Sequence, residues 1–577
     1  MNVTADTVRA WIDADPDPAA RAELAALLAR AAGDSGAAGD RAANGAAARA
    51  AAQADLDDRF AGPLEFGTAG LRGELGAGPH RMNRAVVIRA AAGLCAFLTD
   101  QVGPGFTVAI GYDARHGSAQ FARDTAAVVT AAGGRARLLP APLPTPVLAF
   151  AVRHLATDAG VMVTASHNPP RDNGYKVYLG GRVVAGGGQG AQIVPPFDAQ
   201  IGAQIAAVGP AAQVPLAADG WEVLGEEVRE AYLRRVASLI PAQHSRNLRI
   251  VYTPMHGVGG ATAVEALRRT GFTTVHVVPE QAEPDPDFPT VAFPNPEEPG
   301  ALDLAITLAR RLGADVVLAN DPDADRCSMA VPDPAAAGGW RQLTGDEIGS
   351  LLGDQTGAAA AMADRGVLAS SVVSSRLLAK IARSHGLEHR TTLTGFKWIA
   401  RTEGLVFGYE EAIGYCVDPA AVRDKDGISA SVRLAYLVAQ LRDANMSVID
   451  ALDALAVRHG LHATSQLSVR VEDPDLITAA MERLRAAAPA SLAGSPVVTA
   501  SDLAEGSDEL PATNALVYLT AAGDRVIVRP SGTEPKLKAY LEVVVPVADP
   551  GDVAATRSAA ADRLARLRSD VAAAVGL

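Results

Sequence analysis

At 577 residues the chain is too long for one hydrophobic core, and about three to four domains are expected. It is 49% apolar and 20% charged, an ordinary globular composition, and its formal net charge of −13 argues against a nucleic-acid partner; an anionic substrate must therefore meet local positive groups. No apolar run reads as long enough to cross a bilayer, and Met1 to Asp15 lack a signal-peptide pattern. Cys95, Cys327 and Cys416 are spaced for neither zinc nor disulfides, so the cytoplasm is the expected compartment and no membrane partner is expected.

Residues 1–55 read as a helical lead-in followed by a low-complexity Gly/Ala stretch, Ala31 to Ala54, expected to be a mobile loop, with an insertion or a floppy helix as its origin. From Phe106 a strand–helix rhythm begins: strand Phe106–Ile110, helix Gln120–Ala132, strand Ala136–Leu139, helix Pro146–Leu155, the strand around Val161, then Tyr175–Leu179. A second block runs through Arg249–Tyr252, Ala261–Arg269, Thr274–Val278, Leu302–Leu312 and Asp315–Ala319. A third uses Thr344–Leu352, Val367–Val373, Arg376–Ser384, Arg390–Thr394 and a long helix, Ile428–Leu441. This alternation predicts mostly parallel, doubly covered sheets three times over. From about Leu461 the pattern changes to a smaller α+β domain with a hairpin, Arg525–Val528 and Lys538–Val544. The expected divisions are 1–55, 56–220, 221–335, 336–458 and 459–577.

The chemistry concentrates at the ends of these strands. Gly160 to Val163 is a buried-strand pattern that breaks into Thr164-Ala165-Ser166-His167-Asn168-Pro169-Pro170, a stiff loop where open α/β sheets gather ligands. Ser166 is the candidate phosphoryl carrier. Asn320-Asp321-Pro322-Asp323-Ala324-Asp325-Arg326 sets three carboxylates at alternate positions, hard oxygen donors suited to Mg²⁺. An EF-hand loop is ruled out, because Arg326 stands where its glycine must be and Pro332 where its last glutamate must be.

Arg529-Pro530-Ser531-Gly532-Thr533-Glu534-Pro535-Lys536 reads as an anion nest bracketed by a guanidinium and an ammonium. Glu410, after a Gly-Tyr strand end, is placed to accept hydrogen bonds from sugar hydroxyls, with Gly395-Phe396-Lys397-Trp398 nearby in the same block. Arg423 to Gly427 precedes the long helix and is expected to cap it. The glycine-rich Phe66 to Gly73 loop is neither a dinucleotide fingerprint nor a Walker loop, and is expected to bring Arg72 to a reacting phosphate. Only six lysines occur, and five of them, including Lys176, Lys397 and Lys425, fall in these segments. Lys176 is the first choice for general base and His167 the second; a catalytic lysine must lose its proton, so its neighbours are expected to depress its pKa. His256 is read as structural.

Together these segments resemble the α-D-phosphohexomutase superfamily, the phosphoglucomutases and phosphomannomutases, whose motifs occur here in order from about residue 60 onwards. The resemblance implies four domains around a central cleft, respectively carrying the phosphoserine (56–220), the metal (221–335), the sugar contacts (336–458) and the phosphate grip (459–577). It implies that Ser166 is the phosphoserine and that Asp321, Asp323 and Asp325 hold Mg²⁺ with its phosphate. Glu410 then contacts the sugar, and Arg529, Ser531, Gly532 and Thr533 grip the non-reacting phosphate. Arg72, His167, Lys176, Arg326, Lys397 and Lys425 also match family positions.

The implied activity interconverts glucose or mannose 1- and 6-phosphates through a bisphosphate intermediate, with a sugar bisphosphate such as glucose 1,6-bisphosphate as activator. Leu64 to Arg72, Arg81-Met82-Asn83 and Thr394 to Trp398 resemble a branch that includes phosphopentomutases. Many relatives carry serine where this chain has Ala412, which removes a hydroxyl from the sugar loop and keeps ribose phosphates as an alternative. A sugar-phosphate phosphatase and a non-catalytic binding protein are the rivals from other classes. The mutase reading requires segments hundreds of residues apart to meet.

Overall fold

The structure, a computed structural model, describes residues 3–33, 42–67, 70–363, 366–471, 473, 475–506, 510–532 and 536–576. It divides into two compact units: Met1–Ala242 with Asn247–Cys327 and Asp418–Val432, and Gln243–Arg246 with Ser328–Val417 and Arg433–Leu577.

The first unit opens with three helices, Ala5–Ala14, Pro18–Ala32 and Ala42–Arg59, sharing a small core of Val8, Leu24, Leu27 and Leu56. From Ala42 onward the Ala31 to Ala54 stretch is helical, so the helix offered for it is observed there rather than the mobile loop. Alanine, arginine and glutamine are good helix formers, and Ala52 and Leu56 bury one face. Residues 34–41 of that stretch lie outside the described residues.

The first sheet has the order Leu71–Glu74, Asp172–Leu179, Ala159–Val163, Thr107–Tyr112, Arg135–Leu138, Glu222–Val223. Thr107–Tyr112 runs parallel to both neighbours, while Asp172–Leu179 is antiparallel to Ala159–Val163. Ala159–Val163 is buried throughout, which is why it reads as a continuous apolar run rather than an alternation. Helix Arg84–Val102, which the strand–helix rhythm had not included, joins this core. By length and hydropathy alone it would pass as a membrane span, contrary to the sequence expectation, but over half of its apolar window (56%) is buried inside the protein. A second sheet sets Val316–Asn320 and Thr274–Val277 parallel on either side of Arg249–Thr253. The acidic loop leaves the end of its Val316–Asn320 strand.

In the second unit Val367–Ser371 lies parallel between Glu388–Thr392 and Leu405–Glu410, and Gly414–Cys416 runs antiparallel to the latter. Helix Gly345–Ala361, started by a Thr344–Glu347 capping box, lies so close that a Cβ at Gly349 would stand 2.4 Å from the Tyr409 ring. The last sheet is antiparallel, its Arg525–Pro530 and Lys536–Val545 strands paired as the expected hairpin. Helices Asp475–Ala486 and Val553–Val575 complete its core. Three α/β domains and a smaller α+β domain are thus the architecture.

Candidate active site

Ser166 stands just beyond strand Ala159–Val163 with φ of 54°, a left-handed conformation uncommon for serine. Its amide donates to Thr164 Oγ1 at 2.9 Å. The conformation is fixed from behind by Arg115, which is 4% exposed. Its guanidinium donates to the carbonyls of Ser166 and Asn168, both at 2.6 Å, of Pro169 at 2.8 Å and of Asp172 at 3.1 Å. The serine is thereby aimed: Oγ donates to Asp321 Oδ2 at 2.8 Å and lies 3.2 Å from His167 Nδ1. Burial, reinforced by the Arg326 and Arg72 charges, holds the His167 imidazolium well below its usual range, so the ring is neutral.

The acidic loop turns at Ala324, whose amide donates to Asp321 O at 2.8 Å and whose φ is 54°. Asp321, Asp323 and Asp325 are buried, and one oxygen from each falls within 4.8 Å of the others. Burial, with Asp323 and Asp325 alongside, pushes the Asp321 carboxyl well up. Asp325 goes the other way, because Lys176, Lys425 and Arg326 together outweigh its burial. Asp323 Oδ2 accepts from Thr145 Oγ1 at 2.6 Å and from Lys176 Nζ at 2.8 Å; Asp325 Oδ2 takes Lys176 Nζ at 3.0 Å and pairs with Lys425 Nζ at 3.3 Å.

Asp323 Oδ1 and Asp325 Oδ1 are buried and have no hydrogen-bond partner among the described residues. Unsatisfied buried carboxylate oxygens beside a third carboxylate fit a divalent cation with hard oxygen ligands. The Lys176 charge state differs from the expectation. Burial pulls its pKa down, but Asp323 and Asp325 more than reverse that, so the ammonium is favoured rather than depressed.

Other predicted groups join this cluster. Arg326 Nε lies 3.7 Å from Asp325 Oδ1 and 3.9 Å from Asp321 Oδ2, and Arg72 Nη1 donates to Asn168 Oδ1 at 3.2 Å. Thr68 and Ala69 of the Arg72 loop lie outside the described residues. Asp424, holding Tyr178 OH at 2.7 Å and Gln192 Nε2 at 2.6 Å, anchors the segment that presents Lys425. Asp426 caps the following helix as expected, accepting from Ile428 N at 3.1 Å and Ser429 N at 3.0 Å. His256 bonds Thr290 Oγ1 at 2.9 Å, consistent with its structural reading.

The second unit carries a separate cluster. Glu410 ends strand Leu405–Glu410, and Glu411 Oε2 accepts from Ser371 Oγ at 3.0 Å and Ser374 Oγ at 3.2 Å. Burial, then the charges of Glu410 and Asp346, push the Glu411 carboxyl up to about 7. Arg529 lies in strand Arg525–Pro530, paired with Lys538 of strand Lys536–Val545, and its charge acts on Tyr540 of that strand together with those of Glu411 and Glu410. Ser531 N donates to Lys536 O at 2.8 Å and closes the turn that holds Gly532, while Thr533 lies outside the described residues. Lys397 sits in the short helix Phe396–Ile399 of the same unit.

Sequence reasoning missed Arg115, Thr145 and the serines Ser371 and Ser374 that hold Glu411. Asp113 and Arg115 immediately after a buried strand were a local signal for the first; Thr145 offered none.

A serine hydroxyl braced against buried carboxylates, with ammonium groups beside them, is the equipment of a phosphoryl-transfer enzyme. Profiles described as phosphoglucomutase/phosphomannomutase alpha/beta/alpha domains I, II and III match residues 63–210, 230–336 and 344–457, and the corresponding C-terminal domain matches 467–560. The chain is 46% identical to a Haemophilus influenzae protein named "Probable phosphomannomutase", covering 80% of this chain and 93% of that one. It is 36% identical to the phosphoribomutase of Saccharomyces cerevisiae, covering 85% and 87%. A solved phosphoglucomutase/phosphomannomutase family protein from Burkholderia thailandensis shares the fold at a TM-score of 0.66 and 20% identity, covering 88% and 97%. The chain belongs to the phosphoglucomutase/phosphomannomutase family and is a phosphosugar mutase, an isomerase.

Proposed function

We propose that the protein interconverts glucose or mannose 1-phosphate and the 6-phosphate, with Ser166 carrying the phosphoryl group. The observation that carries this reading is the Ser166 hydroxyl held 2.8 Å from Asp321, inside the buried triad. In the forward half-reaction the bond from phosphorus to Ser166 Oγ breaks as a bond to the free sugar hydroxyl forms. The resulting bisphosphate turns around, and Ser166 Oγ attacks its other phosphorus. Each time the attacking hydroxyl gives up a proton and the departing oxygen takes one up. His167, with Nδ1 3.2 Å from Ser166 Oγ, is placed to deliver that proton to Ser166 Oγ in the forward half and to accept it back on the return. Lys176, with Nζ 2.8 Å from Asp323 Oδ2 and 3.0 Å from Asp325 Oδ2, supplies positive charge beside the reacting phosphate and shares the general acid–base role with His167.

Asp321, Asp323 and Asp325, with the Ser166 phosphate, would hold Mg²⁺, which when bound draws negative charge off the phosphoryl oxygens. Arg72, Arg326 and Lys425 add positive charge for the reacting phosphate. Glu410 accepts from sugar hydroxyls, Lys397 supports the same recognition, and Arg529, Ser531, Gly532 and Thr533 hold the phosphate that is not being transferred. A sugar bisphosphate such as glucose 1,6-bisphosphate restores phosphoserine when an intermediate escapes. The protein works on small sugar phosphates in the cytoplasm, without nucleic acid or membrane.

A second reading, a phosphopentomutase acting on ribose or deoxyribose 1- and 5-phosphates, is favoured by Ala412 and by the likeness to the yeast phosphoribomutase. Initial rates on glucose 1-phosphate, mannose 1-phosphate and ribose 1-phosphate, with inorganic phosphate measured in parallel, decide. Fastest turnover on a hexose without phosphate release is the expected result; a ribose preference selects the second reading, and stoichiometric phosphate release overturns both.

A further inference from the structure

Glu542, 1% exposed in strand Lys536–Val545, is a buried carboxylate that the mechanism above does not use. Its Oε1 accepts from Ser375 Oγ and Arg376 N, both at 2.8 Å, and from His462 Nδ1 at 2.9 Å. Its Oε2 accepts from Arg376 Nε at 2.6 Å, with Arg525 Nη2 at 3.3 Å. Burial would raise this carboxyl, but Arg525, His462 and Arg376 overcome it and keep the group ionised. An ionised carboxylate only accepts, so the donors around it are held in one arrangement.

Those donors belong largely to one loop. Ser375 and Arg376 follow strand Val367–Ser371, and Arg525 also donates to the loop carbonyls of Val372 at 3.0 Å and Ser374 at 2.5 Å. The loop is therefore tied to the terminal sheet by backbone and side chain together. The same loop holds the sugar-loop glutamate: Ser371 and Ser374 donate to Glu411 Oε2, and Ser374 Oγ accepts from Glu411 N at 3.1 Å. Ser375 N donates to Asp346 Oδ1 at 2.7 Å, which also takes the Tyr409 hydroxyl at 2.9 Å, so Tyr409 and Glu411, which flank Glu410, are both tied to this loop. Arg529 stands on the neighbouring strand, paired with Lys538 of the strand that carries Glu542.

We propose that Glu542 is a positioning residue for sugar recognition, fixing Glu411 and hence Glu410 through the Ser371–Arg376 loop and tying that loop to the sheet that carries Arg529. This rests on the reading of Glu410 as a sugar contact. The test is a double-mutant cycle of Glu542→Gln and Ser374→Ala, assayed on whichever of the three sugar phosphates the wild type turns over fastest. Glu542→Gln is expected to raise KM about tenfold with a much smaller change in kcat, as loss of a ground-state contact should. The double variant should be no worse than the poorer single variant, because both act through one loop.

An unmoved KM in folded Glu542→Gln, with only the thermal midpoint lowered, makes the residue purely structural and overturns the inference; so do additive effects. If Glu542→Gln fails to fold, Ser375→Ala replaces it in the same cycle, with the same readouts. A wild type that turns over none of the three sugar phosphates removes the proposed function and this inference with it. Normal wild-type rates with an unmoved KM remove the inference alone.

Discussion

Ser166 Oγ donates a hydrogen bond to Asp321 Oδ2 across 2.8 Å although 155 positions separate them in the chain. The nucleophile and the first acid of the triad are thus a preformed pair, in contact before any substrate arrives. Replacing Ser166 by alanine is expected to abolish mutase turnover while leaving the circular dichroism spectrum and the thermal midpoint near those of the wild type. Turnover within about tenfold of wild type would remove Ser166 from the reaction, since that is only about 1.4 kcal/mol of barrier.

The triad predicts metal dependence. Incubation with EDTA is expected to silence the enzyme and added Mg²⁺ to restore it. Asp323→Asn should weaken Mg²⁺ binding measured by calorimetry as well as turnover, because Asp323 Oδ1 is a buried oxygen with no hydrogen-bond partner among the described residues. Full activity in EDTA overturns the metal assignment.

Lys176 is 6% exposed at its side chain and bridges two buried carboxylates. Lys176→Met should cost about 3 kcal/mol of stability in urea titrations without divalent cations, the usual result of stripping one partner from a buried ion pair. Added Mg²⁺ should recover much of that loss, because the cation takes over the same carboxylates. A loss that Mg²⁺ leaves untouched would place the defect in packing instead.

Glu411 gives a pH signature. Its carboxyl is raised from 4.5 in the free side chain to about 7 in the fold. The folded chain therefore binds the extra proton between those values, so this group's contribution to stability is complete below about 4.5 and is lost as pH rises through 7. Glu411→Gln removes that loss. Its stability relative to the wild type should improve from pH 5 to pH 8 in thermal melts, and an unchanged difference would mean the carboxyl is ionised throughout.

Arg115 holds the serine loop through four carbonyls. Lysine cannot reproduce that planar fork. Arg115→Lys is expected to lower kcat by about 100-fold while leaving Mg²⁺ affinity near wild type, since small misplacement of a reacting group costs that much. An unchanged kcat would show that the loop holds its own shape.

The strand–helix rhythm from Phe106 onward was legible because parallel strands buried on both faces leave short apolar runs, punctuated by helices of stable length. Helix Pro146–Leu155, for example, is observed as Thr145–His154. The lead-in reads as either loop or helix where alanine-rich composition imitates low complexity, although Ala52 and Leu56 pack one helical face against Leu24 and Leu27.

Within the site, Ser166 and the triad were readable because proline, glycine and acidic residues mark where strands end. What could not be read depends on distant partners. The charge of Lys176 is set by carboxylates roughly 150 positions away, and Thr145 is tied to Asp323 across 178 positions. No local pattern encodes either.

Arg115 takes hold of the serine loop by its main chain alone, and carbonyl oxygens are the same whatever side chain accompanies them. The Arg115 brace is thus indifferent to which side chains the loop carries at those four positions. A lineage can retool the rim of this site for a differently shaped sugar while the reacting oxygen stays where it is.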